Sequence, residues 1–239
     1  GVDIFFVISG YLISKLILKE VFDTNKFDLK NFYERRSRRI LPALIFVLLV
    51  SLIFSYFVLL PSSFVDFAKS IISSLGFVSN YYFYFSGQEY AAESGLLKPL
   101  LHTWSLSVEE QFYIIFPIII LTIYNFKKIN IFTFIFLFSL ISIFFAEYLS
   151  EKNEMLNFYT LPSRAWELLL GTLIATLELK KVKNKSILLS ELFVLLGLII
   201  IILSFIYFDE SIAHPTYRSL PPVLGTLLIL YFAQSKSII

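Results

Sequence analysis

The sequence predicts an all-α integral membrane protein, a polytopic helical bundle with about seven spanning helices and one re-entrant segment that enters the membrane and returns. Of its 239 residues, 57% are hydrophobic and 16% are charged, whereas soluble domains carry about 25% charged residues. The mean hydropathy is +0.78. Apolar runs such as 41–60 have the roughly 20 residues that a spanning helix needs. A soluble globular domain is therefore excluded.

Residue counts exclude several classes of site and partner. Cysteine is absent and there are two histidines. Disulfides, thiolate metal sites and multi-histidine metal centres are therefore excluded, and we expect no metal. The net charge of +2 is distributed over loops and gives no indication of a nucleic-acid partner. The partner that the composition does indicate is membrane lipid.

Seven apolar runs are assigned as spanning helices, in chain order 2–18, 41–60, 105–126, 131–149, 161–179, 187–208 and 220–233. Residues 19–40 separate the first two as a polar loop that ends in Arg35-Arg36-Ser37-Arg38-Arg39. Because loops rich in lysine and arginine remain in the cytoplasm, this loop is predicted to be cytoplasmic. Pro42 then falls in the first turn of the second span, where proline is tolerated.

Residues 64–85 are too polar for a span that faces lipid, since they include an aspartate, a lysine, an asparagine and four serines. If this segment crossed the membrane completely, the basic loops around 127–128 and 180–185 would lie outside, against the positive-inside rule. If it dips in and returns, those loops and Lys236 lie in the cytoplasm. We therefore expect a re-entrant segment that lines a cavity within the protein, with His102 on the extracytoplasmic side.

The stretch 97–113 gathers polar and aromatic groups at the start of an apolar run, namely His102, Trp104, Ser105, Glu109 and Tyr113. On a helix from Trp104 onward, Ser105, Glu109 and Tyr113 share one face. A carboxylate at the edge of the hydrocarbon is costly unless it is paired or lies in a water-filled cavity, so a catalytic site is one interpretation. The other is a capped helix start, with Ser105 as N-cap and Trp104 in the interfacial aromatic belt.

The arginine cluster at 35–39 also has two interpretations. One is an anchor for anionic lipid at the cytoplasmic face. The other is a phosphate site in which Arg36 and Arg39, three positions apart on a helix, hold a diphosphate with Arg35 beside them. Two guanidinium groups aimed at one point suit a nucleotide diphosphate.

Charged residues occur in or beside other predicted spans. Arg164 and Glu167 are three positions apart, which allows either an intrahelical ion pair or two charges that face a cavity and orient reacting groups. Asp3, near the start of the first span, is either a partner of the helix dipole or a cavity residue. His214 is interpreted as a solvated loop histidine.

These stretches occur in an order and spacing that resemble the membrane acyltransferase-3 family. They are GVDIFFVISGYLI at 1–13, FYERRSRRILP at 32–42, LHTWSLSVEEQFY at 101–113, RAWELLLG at 164–171 and LPPVLGTL at 220–227. The resemblance covers essentially the whole chain. The family's Arg-x-x-Arg pattern, which is associated with acyl-CoA, matches Arg36 and Arg39. Its His-x-Trp-Ser-Leu-x-x-Glu pattern matches His102, Trp104, Ser105, Leu106 and Glu109.

The resemblance implies a bacterial O-acyltransferase of the cytoplasmic membrane. Such proteins move an acyl group, usually acetyl, from cytoplasmic acyl-CoA (acetyl-CoA) to a hydroxyl of an extracytoplasmic glycan such as lipopolysaccharide O-antigen, exopolysaccharide or peptidoglycan. In this reaction Arg36 and Arg39 would hold the CoA phosphates and Glu109 would orient a histidine base. Arg164 would stabilise the oxyanion, and Glu167 would orient the reacting groups with it. The expected cavity residues are Asp3, Ser9, Trp104, Ser105 and Tyr113.

One departure from the family concerns the base. The family carries an important histidine in the helix before its Gly-Val-Asp motif, and this chain begins after that point. The candidates for the base are therefore His102 and a histidine upstream of Gly1. We expect residues 1–239 to be a single transmembrane acyltransferase domain, truncated at both ends. On the physics of intramembrane charges alone, the competing class is a non-enzymatic carrier or flippase for a lipid-linked sugar.

Overall fold

A computed structural model describes residues 1–87, 98–126, 130–180, 187–207 and 214–233. The helices are α1 Val2–Thr24, α2 Leu29–Val58, α3 Pro61–Leu75, α4 Ser79–Phe85, α5 Thr103–Phe126, α6 Ile131–Lys152, α7 Glu154–Tyr159, α8 Leu161–Leu179, α9 Ile187–Tyr207 and α10 Leu220–Phe232, with a short 3-10 helix at Tyr217–Ser219. The residues described contain no strand, which confirms the all-α class. Four helices among them, α2, α5, α6 and α9, are long and apolar enough to cross a membrane. The number of spans stays a prediction.

The predicted loop at 19–40 is wrong over most of its length, because α1 continues to Thr24 and α2 begins at Leu29. Asp28 caps the helix, because its Oδ1 accepts a hydrogen bond from the backbone N–H of Asn31 at 3.0 Å. The arginines that follow are good helix formers, so nothing interrupts α2 before the apolar run. Pro42 therefore lies in the interior of α2 and not in its first turn.

The predicted re-entrant segment folds as two helices, α3 and α4, joined by a turn at residues 76–78. Buried hydroxyls of this pair bond to α5: Ser74 to Thr103 at 2.9 Å, and Ser79 to Ser107 at 2.8 Å. These hydrogen bonds explain how the serine hydroxyls of this segment remain buried in an apolar protein. Whether the segment returns to the side from which it enters stays a prediction. Several residues used for that topology lie outside the described ranges: Lys127, Lys128, Lys181, Lys183, Lys185, Phe208 and Lys236.

The chain divides into two compact units. Residues 1–26 and 116–239 form the first unit, and residues 27–115 form the second. The first unit has a buried cluster of Val7, Trp166 and Val223. The second unit contains α2, α3, α4 and the first half of α5.

In the first unit, α1 and α8 run side by side in the same direction with their backbones in contact. A Cβ atom added to Gly10 would stand 2.0 Å from the carbonyl oxygen of Leu168, and one added to Gly171 would stand 2.0 Å from that of Val7. Only glycine permits this approach. The Ser14 and Thr172 hydroxyls join the two helices at 2.7 Å. This seam fixes the positions of the charged side chains near the start of both helices.

The first turn of α8 contains an inserted hydroxyl. Ser142 of α6 donates to the carbonyl of Pro162 at 2.6 Å and accepts from the backbone N–H of Trp166 at 2.9 Å. It thus bridges a carbonyl and an N–H four residues apart, the two groups that an α-helix normally joins directly. This bridge holds the start of α8 against α6.

Candidate functional site

A buried charge cluster lies where α1 and α8 begin. Arg164 is 1% exposed, and its Nη1 lies 2.9 Å from Oδ1 of Asp3 and 3.4 Å from Oε1 of Glu167. Its Nε donates to the carbonyl of Phe158 at 3.1 Å. Two carboxylates thus converge on one guanidinium nitrogen, away from bulk water. Buried charges of this kind inside an apolar bundle are expensive, and they typically mark functional sites.

Several buried polar atoms of the same unit have no hydrogen-bond partner among the residues described. They are Oε2 of Glu167, Nε1 of Trp166 and Oδ1 of Asn157, all on side chains that are nearly or fully buried. Most buried polar atoms in proteins are satisfied, so three such atoms on neighbouring segments call for an explanation. The hydrogen-bonding capacity of this buried region is therefore incompletely used within the described residues.

His214 belongs to this region, and its interpretation as a solvated loop histidine is wrong. The imidazole is half-buried, and its Nδ1 lies 2.9 Å from the hydroxyl of Ser219. Asn157 holds the same segment, because its Nδ2 donates to the carbonyl of Pro215 at 2.8 Å. Burial is the main cause that lowers the pKa of His214. The Asp3 carboxylate opposes this effect, whereas the Arg164 guanidinium adds to it.

A second charge cluster lies in the other unit, between α2 and α5. The Arg36 guanidinium lies 3.2 Å from Oε1 of Glu109, 3.0 Å from Oε1 of Glu110 and 3.9 Å from the ring centroid of Tyr113. The Tyr113 hydroxyl donates to Glu109. Tyr33 reinforces the contact by donating to the carbonyl of Ile114 at 3.2 Å. Arg36 is therefore an internal link between two helices in this structure.

The structure separates the arginines that the sequence grouped together. Arg36 faces Glu109 and Glu110, whereas Arg35 and Arg39 are exposed. Arg38 is exposed as well and pairs with Glu34 at 2.7 Å. Arg35 and Arg39 are four positions apart and share a face of α2. Arg36 is thus turned toward α5 and away from the exposed face that carries Arg35 and Arg39. Which of these arginines holds a phosphate stays a prediction.

The structure does not bring His102 and Glu109 together. His102 is exposed, and its imidazole forms no hydrogen bond or ion pair with any residue in the described ranges, whereas Glu109 accepts from Arg36 and Tyr113. The role of His102 as a base stays a prediction. Ser105 is not an N-cap, because α5 begins at Thr103 and the Ser105 hydroxyl donates to the carbonyl of His102 at 3.1 Å.

The remaining cavity candidates are buried or half-buried. Trp104 is 1% exposed, which contradicts its assignment to an interfacial aromatic belt. Ser9 is also buried. Sequence reasoning missed Glu110, Ser219 and the position of His214. Glu110 could have been found because it is adjacent to Glu109. The position of His214 could not, because nothing in the local sequence links residue 214 to the other segments of the first unit.

Comparisons with a family model and with known proteins agree on one protein family. Residues 1–237 match the model of a family described as an acyltransferase domain. The chain is 36% identical to O-acetyltransferase OatA of Staphylococcus aureus over 198 residues, which are 80% of this chain and 32% of that protein. It is 36% identical to a putative O-acetyltransferase of S. aureus over 222 residues, 88% of this chain and 36% of that protein.

A third relative aligns with this chain over nearly the whole of both sequences. It is described as an uncharacterized protein of Haemophilus influenzae and is 35% identical over 248 residues, with 99% of each chain covered. The chain thus spans about a third of the length of the two S. aureus proteins and nearly the whole length of the H. influenzae protein. No solved structure matches.

Proposed function

Because the chain belongs to the membrane acyltransferase-3 family, we propose that it transfers an acyl group, acetyl in the first instance, from acyl-CoA to a hydroxyl of an extracytoplasmic glycan. The names of the S. aureus relatives support O-acetyl transfer. The structural observation that carries the proposal is the buried convergence of Asp3, Arg164 and Glu167. A guanidinium held in a low-dielectric site can stabilise the oxyanion that forms when a hydroxyl attacks an acyl carbonyl.

In this proposal the donor binds at α2. Arg35 and Arg39 are exposed on one face of the helix and can contact the phosphates of acyl-CoA. Arg36 has a different role, because Glu109, Glu110 and Tyr113 already surround its guanidinium. It fixes α2 against α5 and so holds the exposed arginines in place. A donor site on α2 fits a bacterial cytoplasmic membrane, because acyl-CoA is available on the cytoplasmic side of that membrane.

The acceptor half of the reaction needs a base for the hydroxyl and a stabiliser for the tetrahedral intermediate. Arg164 is the stabiliser, and Asp3 and Glu167 hold its guanidinium in position. For the base, the resemblance supplies His102 among the residues of this chain. Acceptors in keeping with the family are lipopolysaccharide O-antigen, exopolysaccharide and peptidoglycan.

A carrier for a lipid-linked sugar is the second candidate, and a cavity of about 890 Å³ in the second unit favours it. Its walls are mainly apolar side chains of α2, α3 and α4, such as Phe54, Val58 and Phe67, with Asp66 and Lys69 among the polar ones. Such a cavity suits a lipid chain with a polar head. Acyl-CoA binding by the purified protein discriminates the two classes, since a carrier has no site for it.

The proposed function is tested with the natural protein in inverted membrane vesicles that contain the native glycan. Acetyl-labelled acetyl-CoA is supplied on the exposed cytoplasmic face, and label is measured in base-labile esters on glycan. We expect label with the wild type and with Arg38→Ala, and a strong loss with Arg39→Ala. Arg38 is a matched control because it is an exposed arginine of the same helix that pairs with Glu34. Absence of label in the wild type would overturn the proposal.

A further inference from the structure

The charges of the cluster around Arg164 do not balance. The carboxyl groups of Asp3 and Glu167 converge on its single guanidinium group, and neither forms an ion pair with any other residue in the described ranges. His214, another titratable side chain of this region, adds no second positive charge at neutral pH, because burial lowers its pKa. With both carboxyl groups ionised, the cluster would therefore carry one net negative charge inside an apolar bundle.

A net negative charge at this place is unfavourable for two reasons. Ionised side chains away from water are stable only when each of them is paired. In addition, the proposed acyl transfer needs an oxyanion to be stabilised beside Arg164, and a cluster that is already negative would repel it. One bound proton removes both difficulties, and carboxyl groups that share a site commonly hold a single proton in this way.

The geometry of the cluster distinguishes its two carboxyl groups. The side chain of Glu167 is 0% exposed, whereas that of Asp3 is 13% exposed, and burial disfavours the charged form. Asp3 is also nearer to the guanidinium, at 2.9 Å against 3.4 Å for Glu167, and a nearby cation favours the charged form. Oε2 of Glu167 has no hydrogen-bond partner among the residues described, so none of them stabilises a charge on that oxygen.

We propose that Glu167 is a neutral carboxylic acid in the resting protein and that Asp3 is the ionised partner of Arg164, so that the acceptor site is neutral before the oxyanion forms. This inference rests on the proposed acyl transfer and adds the protonation state that the transfer requires. Glu167 is a positioning residue, because it is closed off from solvent and acts through Arg164, whose Nη1 donates to its Oε1. The proton stays on Glu167 throughout the reaction.

The first test reads this proton directly and requires no acyl transfer. Infrared spectroscopy separates the carbonyl stretch of a carboxylic acid from the bands of ionised carboxylates. The natural protein is measured at neutral pH with glutamate, and separately with aspartate, isotope-labelled at the side-chain carboxyl carbon. We expect an acid band that shifts with labelled glutamate and is absent from Glu167→Gln. A band that shifts with labelled aspartate instead, or a Glu167→Gln spectrum that loses only ionised-carboxylate bands, would overturn the inference.

Two further variants control the infrared measurement. Asp3→Asn leaves Glu167 as the one carboxyl group that pairs with Arg164, so Glu167 should ionise and its acid band should disappear. Glu34→Gln removes an exposed carboxylate that pairs with Arg38, and it should leave the acid band unchanged. Persistence of the band in Asp3→Asn would contradict the charge balance on which the inference depends.

The second test uses kinetics in the vesicle assay. Glu167→Gln exchanges a neutral acid for a neutral amide of the same size, so the protein should fold and the transfer rate should fall by no more than about tenfold. Glu167→Met fills a similar volume without a hydrogen-bonding group, and it should lower the rate by about 10²-fold, the usual cost of disturbing one group that stabilises an oxyanion.

The outcomes separate the inference from the proposed function. A Glu167→Gln protein that fails to fold, or that loses as much transfer as Glu167→Met, would show that the negative charge is required and would overturn the neutral acid. Absence of transfer by the wild type would instead overturn the proposed function, and the infrared bands would still decide where the proton lies. A Glu167→Gln protein that transfers acyl groups and lacks the acid band would support the inference, since a group that only fills space is replaced equally well by methionine.

Discussion

Asp3 and Arg164 are 161 residues apart in the chain and form an ion pair of 2.9 Å between Oδ1 and Nη1. The pair joins the starts of α1 and α8, and Arg164 is almost completely buried. A pair in such a place is weak evidence for stability, because desolvation offsets the attraction. Its retention in an apolar bundle is better explained by chemistry at that point, and its removal tests this explanation.

Removal of one partner of this pair should be strongly destabilising. We expect Arg164→Ala to lower the free energy of unfolding by about 3–5 kcal/mol, because two carboxylates are then left buried without a cation. Lys69→Ala is the control, since Lys69 pairs with Asp66 at an exposed site and should cost at most about 1 kcal/mol. Unfolding in mixed micelles, followed by circular dichroism, measures both. Equal losses would contradict the prediction.

The backbone contact between α1 and α8 should not tolerate a methyl group. Gly10→Ala places a Cβ 2.0 Å from a backbone carbonyl oxygen, so the helices must separate and the Asp3–Arg164 pair must lengthen. We expect a folding defect and loss of transfer. In Gly76→Ala, the nearest atom to the new Cβ is 3.5 Å away, and this variant should be well tolerated. Size-exclusion profiles and melting temperatures of the two variants provide the measurement.

The carboxylate of Glu109 should be essential to transfer. Glu109 accepts hydrogen bonds from both Arg36 and Tyr113, so Glu109→Gln removes the charge that holds Arg36 in place between α2 and α5. We expect the transfer rate to fall by at least about a hundredfold, with normal membrane insertion. Glu34→Gln, which affects an exposed pair with Arg38 on α2, should have little effect. A near-normal rate in Glu109→Gln would remove Glu109 from the mechanism.

His214 should make the stability of the protein depend on pH in the acidic range. Its pKa in the folded protein is lowered, chiefly by burial, and that of the unfolded chain is about 6.5. As the pH falls below that value, the unfolded state binds a proton before the folded state does, so the free energy of unfolding decreases. The stabilisation is therefore present above about pH 6.5 and is lost below it.

This linkage is measured as the melting temperature at about pH 7.5 and 5.5 for the wild type and for His214→Gln. The wild type should lose more stability between the two values, because the variant has no imidazole to protonate. An identical decrease in both proteins would assign the acid sensitivity to other groups.

Much of the fold could be predicted because apolar runs determine helices in a membrane protein. The predicted spans 131–149 and 161–179 correspond closely to α6 and α8. The error at residues 29–40 arose because charge was taken to indicate a loop, whereas the Asp28 cap and the helix-forming arginines continue α2 outward. Charge determines the side of the membrane on which a segment lies, and it does not determine the secondary structure of that segment.

The site was less predictable, since its contacts are long-range. Spacing alone suggested that Arg36 points the same way as Arg39, but the acidic pair on α5 draws Arg36 inward. His214 was assigned to solvent because it lies in a connection between helices. The side chain that holds this connection, Asn157, bonds to the carbonyl of Pro215 and comes from a segment that no local pattern relates to it.

The contact of carbonyl oxygens with glycine Cα atoms along α1 and α8 also limits how this protein can move. One helix slides past another when side chains at the contact change rotamer between two packed arrangements. At Gly10 and Gly171 the contact is made by backbone atoms, so there is no side chain that could change in this way. We therefore expect α1 and α8 to move as a single body, which keeps Asp3 beside Arg164. Any motion of the first unit that opens a path to this ion pair must then come from segments other than these two helices.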